Sequence, residues 1–393
     1  MAYLSHLSLT NFRNLVKLEL DLPEGVVVFS GPNAHGKTSL LEAVYLLSIA
    51  RSFRAENERE VLNFQAAAQG IGGLVGGTVE KKGERVQVYV AYEPVWPQGD
   101  GGGPTKESSQ GAFSVRKQIR VSRVRRTAAE LVGTVNAVLF SAEDIELVMG
   151  PPSGRRRFLD VLISQADPLY IKGLQRYQKV VQQRNQLLRM ISDGRAQAEE
   201  LTFWDEELVR EGAWITWRRQ EVMKELARDC AVHHSQLATP GEVFQASYQP
   251  SVPVGETIED TEEQFRQSLA AASRRERATA STVVGPHRDD FDLYINEVDM
   301  GTFASRGQAR TLGLSLRLAE ASYLASVRGD GPIVLLDDVL SEMDADRRRR
   351  VLEKATQYQQ TLITTTDIQP MREYFGSAAT YYRVADGGVV PWD

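Results

Sequence analysis

The sequence predicts an α/β protein whose central sheet is written in two halves, with a helical arm inserted between them. Three observations carry this reading. A β-branched run, Gly25 to Ser30, feeds a Gly-rich turn and then a stretch with helical apolar spacing from Ser39 to Leu47. A second apolar run, Ile333 to Leu336, ends in the adjacent acids Asp337 and Asp338. Between them the periodicity is helical from Arg155 to about Ala238, broken at Ser192-Asp193-Gly194. The expected organisation is a head made of residues 1–150 and 281–393, with an arm of 151–280 inserted into it.

The first 93 residues read as β-rich structure around the Gly-rich turn, because Leu7 to Thr10, Leu18 to Leu22 and Arg85 to Val90 alternate as half-buried strands. The turn itself, GPNAHGKTS, has the G-x-x-x-x-G-K-[ST] spacing in the strand–turn–helix context that the motif requires. Gly31 and Gly36 permit backbone torsions that turn successive N–H groups toward a phosphate, and the helix N-terminus adds partial positive charge. Gly31, Pro32, Asn33, Ala34, His35, Gly36, Lys37, Thr38 and Ser39 are therefore candidate ATP contacts. Lys37 is expected to reach the outer phosphates and the Thr38 hydroxyl to take one position on Mg²⁺.

Composition shifts at Pro94 to Gly111, a Gly/Pro/Ser-rich stretch expected to be a mobile loop. It leads into Val115 to Arg126, a predicted hairpin that concentrates Arg116, Lys117, Arg120, Arg123, Arg125 and Arg126. Such a strand pair offers a track for DNA phosphates, or else a solvated edge whose cations pair with neighbouring acids. Arg155 to Arg157, Arg274-Arg275 and Arg347 to Arg350 are further basic candidates. In the arm, Leu174, Tyr177, Val181, Leu188 and Ile191 fit a seven-residue repeat interrupted by Arg184, and Leu201, Leu208, Ile215 and Val222 continue it on the return. An antiparallel helical hairpin fits both, and so does an ordinary helical subdomain.

After Ser281 strands return, with Phe291 to Ile295 alternating. Ser305-Arg306-Gly307-Gln308 then opens a strongly amphipathic helix, and its small-residue turn offers a second anion site through backbone N–H groups of Gly307 and Gln308 and the Ser305 hydroxyl. The acids follow. A P-loop enzyme places such a strand beside the loop, so Asp337 is the expected Mg²⁺ residue and Asp338 is placed to orient or deprotonate the attacking water, acting in catalysis together with Lys37.

The order of loop, long insert, Ser-x-Gly-Gln helix, Asp-Asp strand, SEMD and LITTTD resembles the ATP-binding-cassette (ABC-type) ATPase head of transporter and chromosome-maintenance ATPases. Within that group LTNFRNL, NAHGKTSLLEAVY, FSAEDIELVMGPPSGRRRFLD, YQKVVQQRNQLL, GPHRDDF, SRGQARTLGLSLRLAEA and LLDDVLSEMDADRRRRVL resemble the RecF family of bacterial replication-repair proteins, from about residue 3 to residue 385. The resemblance implies a head-to-head homodimer driven by ATP, in which Lys37, Thr38 and Asp337 act in cis while Ser305, Gly307, Gln308 and Asp344 act in trans on the partner's nucleotide. It implies that Arg13 lies near the nucleotide and that Asn33 belongs to the loop. It also implies a clamp on DNA working in recombinational gap repair, replication maintenance and SOS induction, with slow, DNA-stimulated hydrolysis, a RecR-like mediator as partner, and RecO and RecA indirectly. Two positions depart from the wider cassette pattern: Asp338 replaces the usual Glu, and Thr366 stands where many heads place a phosphate-sensing His.

Composition narrows the remaining classes. With 393 residues, 42% of them hydrophobic, the chain has room for two or three domains and a sizeable core. The single cysteine, Cys230, excludes a disulfide framework and a cysteine zinc site, which points to a cytoplasmic protein. No apolar stretch reaches membrane-spanning length, and MAYLSHLSLTNFRN lacks the regions of a signal peptide. A net charge of -6 leaves nucleic-acid binding to local patches, and no zinc finger or recognition-helix motif is present, so any DNA binding is expected to be backbone-dominated. The rival with the same nucleotide chemistry, a transporter ATPase subunit, ordinarily has a short helical insert, whereas Lys37 and Ser305 here lie far apart in the chain. A nucleotide-regulated scaffold with negligible hydrolysis is the third reading.

Overall fold

The computed structural model describes residues 2–96, 113–341 and 343–392, so Pro97 to Gly111 of the expected mobile loop lie outside the described residues. The chain forms two compact units, one of residues 1–142 with 320–393 and the other of residues 143–319.

The first unit is built on two six-stranded sheets. One is antiparallel, made of β1 (Ala2–Phe12), β2 (Leu15–Asp21), β4 (Gly73–Lys81), β5 (Glu84–Val95), β6 (Ser114–Val121) and β7 (Val124–Arg126) in the order β2-β1-β4-β5-β6-β7. Its inner residues alternate along each strand, as Leu7, Leu9, Val75, Val88, Val90 and Ile119 show by being buried. The second sheet runs β15-β14-β3-β13-β12-β8, from β3 (Gly25–Ser30), β8 (Ala137–Ser141), β12 (Ile333–Asp337), β13 (Gln360–Thr365), β14 (Ala379–Ala385) and β15 (Gly388–Pro391). All of its pairings are parallel except β14 with β15. That sheet is covered on both faces, which is why β12 and β13 are near-continuous buried runs rather than alternating ones.

Helix α1 (Lys37–Ile49) packs between the two sheets and is buried nearly all round. Gln360 ties the sheets together at the other end: its Oε1 accepts from the Leu4 N–H and its Nε2 donates to the Leu4 and Pro23 carbonyls, all at 2.9 Å. A fully buried amide is tolerable only when satisfied in this way. The short helices α2 (Phe64–Ala68) and α3 (Ala128–Leu131) complete the first half of the unit, and α11 (Ala345–Ala355) and α12 (Gln369–Phe375) the second.

The second unit holds α4 (Glu146–Met149), α5 (Pro152–Ala166), α6 (Pro168–Ser192), α7 (Leu201–Leu237), α8 (Ile258–Thr279) and α9 (Met300–Phe303), with a small sheet of β9 (Phe244–Gln249), β10 (Asp290–Ile295) and β11 (Val298–Asp299). The strand expected at Phe291 to Ile295 thus pairs with β9 and β11, not with the strands around the nucleotide loop. Helix α10 (Arg306–Arg328) begins in this unit, and the division falls within it. Helices α6 and α7 have 25 and 37 residues, about 37 and 55 Å at 1.5 Å per residue, and meet around the turn that Gly194 closes at φ +70°.

The seam of α6 differs from the expected repeat. Tyr170, Gly173, Tyr177, Val180, Arg184, Leu187 and Leu188 are its buried positions, so Tyr177 and Leu188 of the expected repeat are buried, whereas Leu174, Val181 and Ile191 are only half-buried. Arg184 belongs to the core instead of interrupting it, because its guanidinium is fully matched: Nη2 lies 2.6 Å from Glu276, Nε 2.7 Å from Asp205, and Nη1 donates to Thr282 Oγ1 at 2.9 Å. Those partners lie on α7, on α8 and just beyond it.

Candidate nucleotide site

The Gly-rich loop leaves β3 at Ser30 and enters α1 at Lys37. Gly31 is required by a close approach: a Cβ there would sit 2.1 Å from the Val384 carbonyl oxygen of β14. Gly36, the residue capping α1, has φ +112°, and the Asn14 side chain lies 3.0 Å from where its Cβ would be. Both positions therefore exclude side chains. Pro32, Asn33 and Ala34 form the exposed rim of the loop, with Ala34 at φ +67°. The loop is held from outside by residues far away in sequence. His35 Nδ1 accepts the Asp386 N–H at 2.9 Å, the Gly387 N–H donates to the His35 carbonyl at 3.3 Å, and Ser39 Oγ donates to Asn14 at 3.1 Å.

Lys37 points back into the loop, its Nζ donating to the Gly31 and Pro32 carbonyls at 2.7 and 2.8 Å. Burial lowers its pKa, and the Asp338 and Asp337 carboxylates oppose that shift. Across the cleft, Asp337 Oδ1 accepts from Thr38 Oγ1 at 2.9 Å and from Thr364 Oγ1 at 2.8 Å. Burial raises the Asp337 pKa against those two hydrogen bonds and the nearby Arg54 charge. Asp338 leaves the strand at φ +51°, and its Oδ1 is buried without a hydrogen-bond partner among the described residues. Two carboxylates, a hydroxyl and a lysine on a glycine-lined loop form the donor set that suits a triphosphate with Mg²⁺, a hard cation that takes few protein ligands and keeps several waters. Among the described residues no group of three or more His, Cys, Asp or Glu side chains could hold a metal ion by itself, which fits a cation shared with phosphate rather than caged by protein.

The strand expected beside the loop is one place further away, since β13 intervenes between β3 and β12. That puts Thr364 opposite Asp337 and Thr365 opposite Ser30, inside the site, while Thr366 lies exposed beyond the strand end. Arg13 is bonded to the helix that follows the loop. Its guanidinium grips the fully buried Glu42 of α1, with Nη2 at 2.7 Å and Nε at 3.2 and 3.0 Å from the two oxygens, and Nη1 donates to the Glu60 carbonyl at 2.6 Å. Asp344 caps α11 by accepting from the Arg347 N–H at 2.9 Å, a bond that lowers its pKa.

In the second unit, Ser305 and Gln308 cap each other: Ser305 Oγ accepts the Gln308 N–H at 3.2 Å and Gln308 Oε1 accepts the Ser305 N–H at 3.0 Å. The Gln308 N–H is thus taken, contrary to the expectation that it is free; Gly307 has open space around its Cα. Asp144 is buried and binds Arg317 of α10 at 2.8 Å.

The basic hairpin sorts by face. Lys117 turns inward onto Glu58 and the Ala50 carbonyl, and Arg126, opposite Ile119, pairs with Glu130. Arg116, Arg120 and Arg125 share the other face, Arg120 and Arg125 directly opposite one another, with Arg123 in the turn; all four are exposed and unpaired among the described residues. In two of the other basic runs some members are bonded within the fold. Arg155 forks onto Asp290 at 2.7 and 2.8 Å, Arg156 donates to the Asp289 carbonyl, and Arg348 donates to the Leu340 and Met343 carbonyls.

This geometry has relatives. A family model described as the RecF/RecN/SMC N terminal domain matches residues 3–386. The DNA replication and repair protein RecF of Roseiflexus castenholzii is 39% identical over 99% of this chain and 100% of its own length, and that of Geobacillus kaustophilus is 36% identical over 98% and 99%. Two solved structures of the recombination mediator protein RecF in the RecFOR pathway, RecF-ATPrS and RecF-ATP, superpose with a TM-score of 0.85 at 31% identity, covering 100% of this chain and 98% of theirs. An Smc head domain from Pyrococcus furiosus shares the fold alone, with a TM-score of 0.53 at 15% identity. With its loop, its acid strand and its whole length matched to these relatives, the chain belongs to the RecF/RecN/SMC family and, within it, to the RecF family of DNA replication and repair proteins.

Proposed function

We propose that this chain is an ATP- and Mg²⁺-dependent DNA-binding ATPase that closes as a head-to-head dimer on DNA and acts in recombinational gap repair, replication maintenance and SOS induction, hydrolysing ATP slowly. The observation that supports it most is the meeting of Thr38 and Asp337 at 2.9 Å across 299 positions of sequence, beside Lys37, in a chain akin to RecF over its full length. Lys37 leaves the loop carbonyls for the outer phosphates, Thr38 and Asp337 would hold Mg²⁺, and Asp338 orients or deprotonates the attacking water. When bound, Mg²⁺ neutralises charge on the outer phosphates. The head is taken as residues 1–150 with 281–393, and 151–280 as its arm. Ser305, Gly307 and Asp344 of one copy complete the site of the other, with Gln308 acting through its side chain or by releasing Ser305. Because each copy contributes contacts that the other lacks, ATP favours the dimer by mass action. The solved RecF relatives are described as recombination mediators in the RecFOR pathway, which supports a RecR-like mediator as direct partner and RecO and RecA as indirect ones.

Sedimentation tests the clamp. Wild type is expected to dimerise and retain duplex DNA only with ATP, and Lys37→Met to remain monomeric under every condition; equal behaviour of the two proteins sinks the proposal.

For DNA we assign the unpaired face: Arg116, Arg120, Arg123 and Arg125, with Lys117 and Arg126 retained for structure. Two arginines directly opposite on a strand pair repel each other, and an anion relieves that repulsion. Arg120→Ala with Arg125→Ala is expected to reduce the slope of log affinity against log salt by about two, about one for each phosphate that is no longer neutralised. Lys117→Ala should leave the slope unchanged. Duplex binding measured between low and physiological salt decides this, and an unaltered slope in the double variant rules the face out.

A further inference from the structure

Thr364 lies in the LITTTD stretch with no site role assigned to it, yet it stands where the loop and the acid pair meet. It lies on β13, the strand between the loop strand and the acid strand, is 1% exposed, and faces Asp337 in register. Its hydroxyl has one proton to give and lone pairs to accept. The proton goes to Asp337 Oδ1 at 2.8 Å, the Leu336 carbonyl at 3.4 Å being the poorer acceptor, and the oxygen accepts the Asp338 N–H at 3.0 Å. The second bond matters because the β12 ladder ends at Asp337. Asp338 turns into the left-handed region at φ +51°, so its N–H has no strand partner and would be left orphaned without the hydroxyl. Valine or isoleucine would suit a fully buried strand interior better, since a hydroxyl there is costly unless bonded at both ends.

We infer that Thr364 is a positioning residue that sets the two acids together, its O–H orienting the Asp337 carboxylate toward Thr38 and its oxygen holding the turn that aims Asp338. This rests on the nucleotide-site reading above. The arrangement follows from topology: with β13 inserted between β3 and β12, a single side chain touches both acids from one side while Thr38 touches Asp337 from the other.

Thr364→Val keeps the shape and removes the hydroxyl. Binding of a fluorescent ATP analogue is titrated first in EDTA and then with Mg²⁺. The valine variant is expected to match wild type in EDTA, where Lys37 and the loop dominate, but to need about tenfold more Mg²⁺ for the metal-dependent gain in affinity. Its hydrolysis rate should fall about 10- to 100-fold with little change in KM for ATP, as a small misplacement of reacting groups does. Thr364→Ser, which restores the hydroxyl, should recover both quantities, and Thr364→Cys, a weaker donor, should fall between. If valine does not fold, the serine and cysteine variants carry the test alone. An Mg²⁺ midpoint and rate unchanged in valine, or serine no better than valine or cysteine, overturns the inference. Lys37→Met in the same EDTA titration separates the two levels: if it binds nucleotide as wild type does, the site reading itself fails, whereas its loss of binding beside a normal Thr364→Val fails Thr364 alone.

Discussion

Asp338→Asn is expected to bind ATP and to dimerise on it as wild type does, while hydrolysing it about 10²- to 10⁴-fold more slowly, the range for losing a general base. The substitution is chosen for what it preserves. Asp338 sits at φ +51°, and asparagine tolerates the left-handed region at least as well as aspartate, so the turn after β12 survives. The bond from the Asp338 N–H to Thr364 belongs to the backbone and also survives. What disappears is a carboxylate whose Oδ1 is buried without a partner and whose field bears on Lys37. An unpartnered buried acceptor in a native site calls for an explanation, and a water to be activated is one. Single-turnover hydrolysis beside sedimentation with ATP gives the answer. An unchanged rate would leave the protein a nucleotide-regulated scaffold, with ATP acting as a ligand only, and a loss of dimerisation in step with the rate would mean that Asp338 serves binding instead.

The parts of this site that the sequence discloses are those written contiguously. A glycine loop between a strand and a helix announces itself because the residues that write its motif lie within a dozen positions, and the acid pair announces itself by ending a run too apolar for an exposed strand. What stays hidden is whatever a parallel sheet brings together by crossover. Nothing local to Thr364 distinguishes it from its neighbours Thr365 and Thr366; only the strand order β3-β13-β12 makes it the one between the acids and the loop. The clasp of His35 by Asp386 spans 351 positions. Arg13 matches a family position near the nucleotide, but its charge is matched by Glu42, a residue whose burial on α1 could not be read from the periodicity of α1, apolar on nearly every side. In the basic hairpin, alternation does predict two faces, yet which face is paired depends on Glu58 and Glu130, contributed by other segments. The same reason explains α6, where a charged residue looks like a break in a repeat until the carboxylates that bury it are known.

The GPHRDDF block carried family likeness without a role, and the structure gives it one that makes Arg219→Met the most damaging substitution expected outside the nucleotide site. Arg219 is 2% exposed on α7, and its guanidinium reaches Asp160 at 2.7 Å, the Tyr170 hydroxyl at 2.9 Å and the Pro286 carbonyl at 2.6 Å, with Asp289 at 3.8 Å. Asp289 is itself fully buried, accepting from the Tyr248 hydroxyl at 2.5 Å and the Ser251 N–H at 2.7 Å. Next to it the Tyr177 hydroxyl meets His287 Nδ1 at 2.6 Å, and Arg155 holds Asp290. His287, Asp289 and Asp290 therefore join α5, α6 and α7 to β9 and β10 within the second unit, while Arg288 stays exposed and donates to the Thr282 carbonyl at 3.1 Å. Methionine fills much the same volume but leaves Asp160 and Asp289 without their cation, and breaking a buried pair from one side costs about 3–5 kcal/mol because the remaining charge is uncompensated. Arg219→Lys restores the charge as a point donor that cannot fork to an acid, a phenol and a carbonyl together, so it should recover less than half of the stability. Urea unfolding followed by the fluorescence of Trp214, which packs against Tyr170, reports on this unit. A midpoint in Arg219→Met corresponding to less than about 1 kcal/mol, the worth of an exposed ion pair, would show that water reaches the cluster and that the block is not the unit's ionic core.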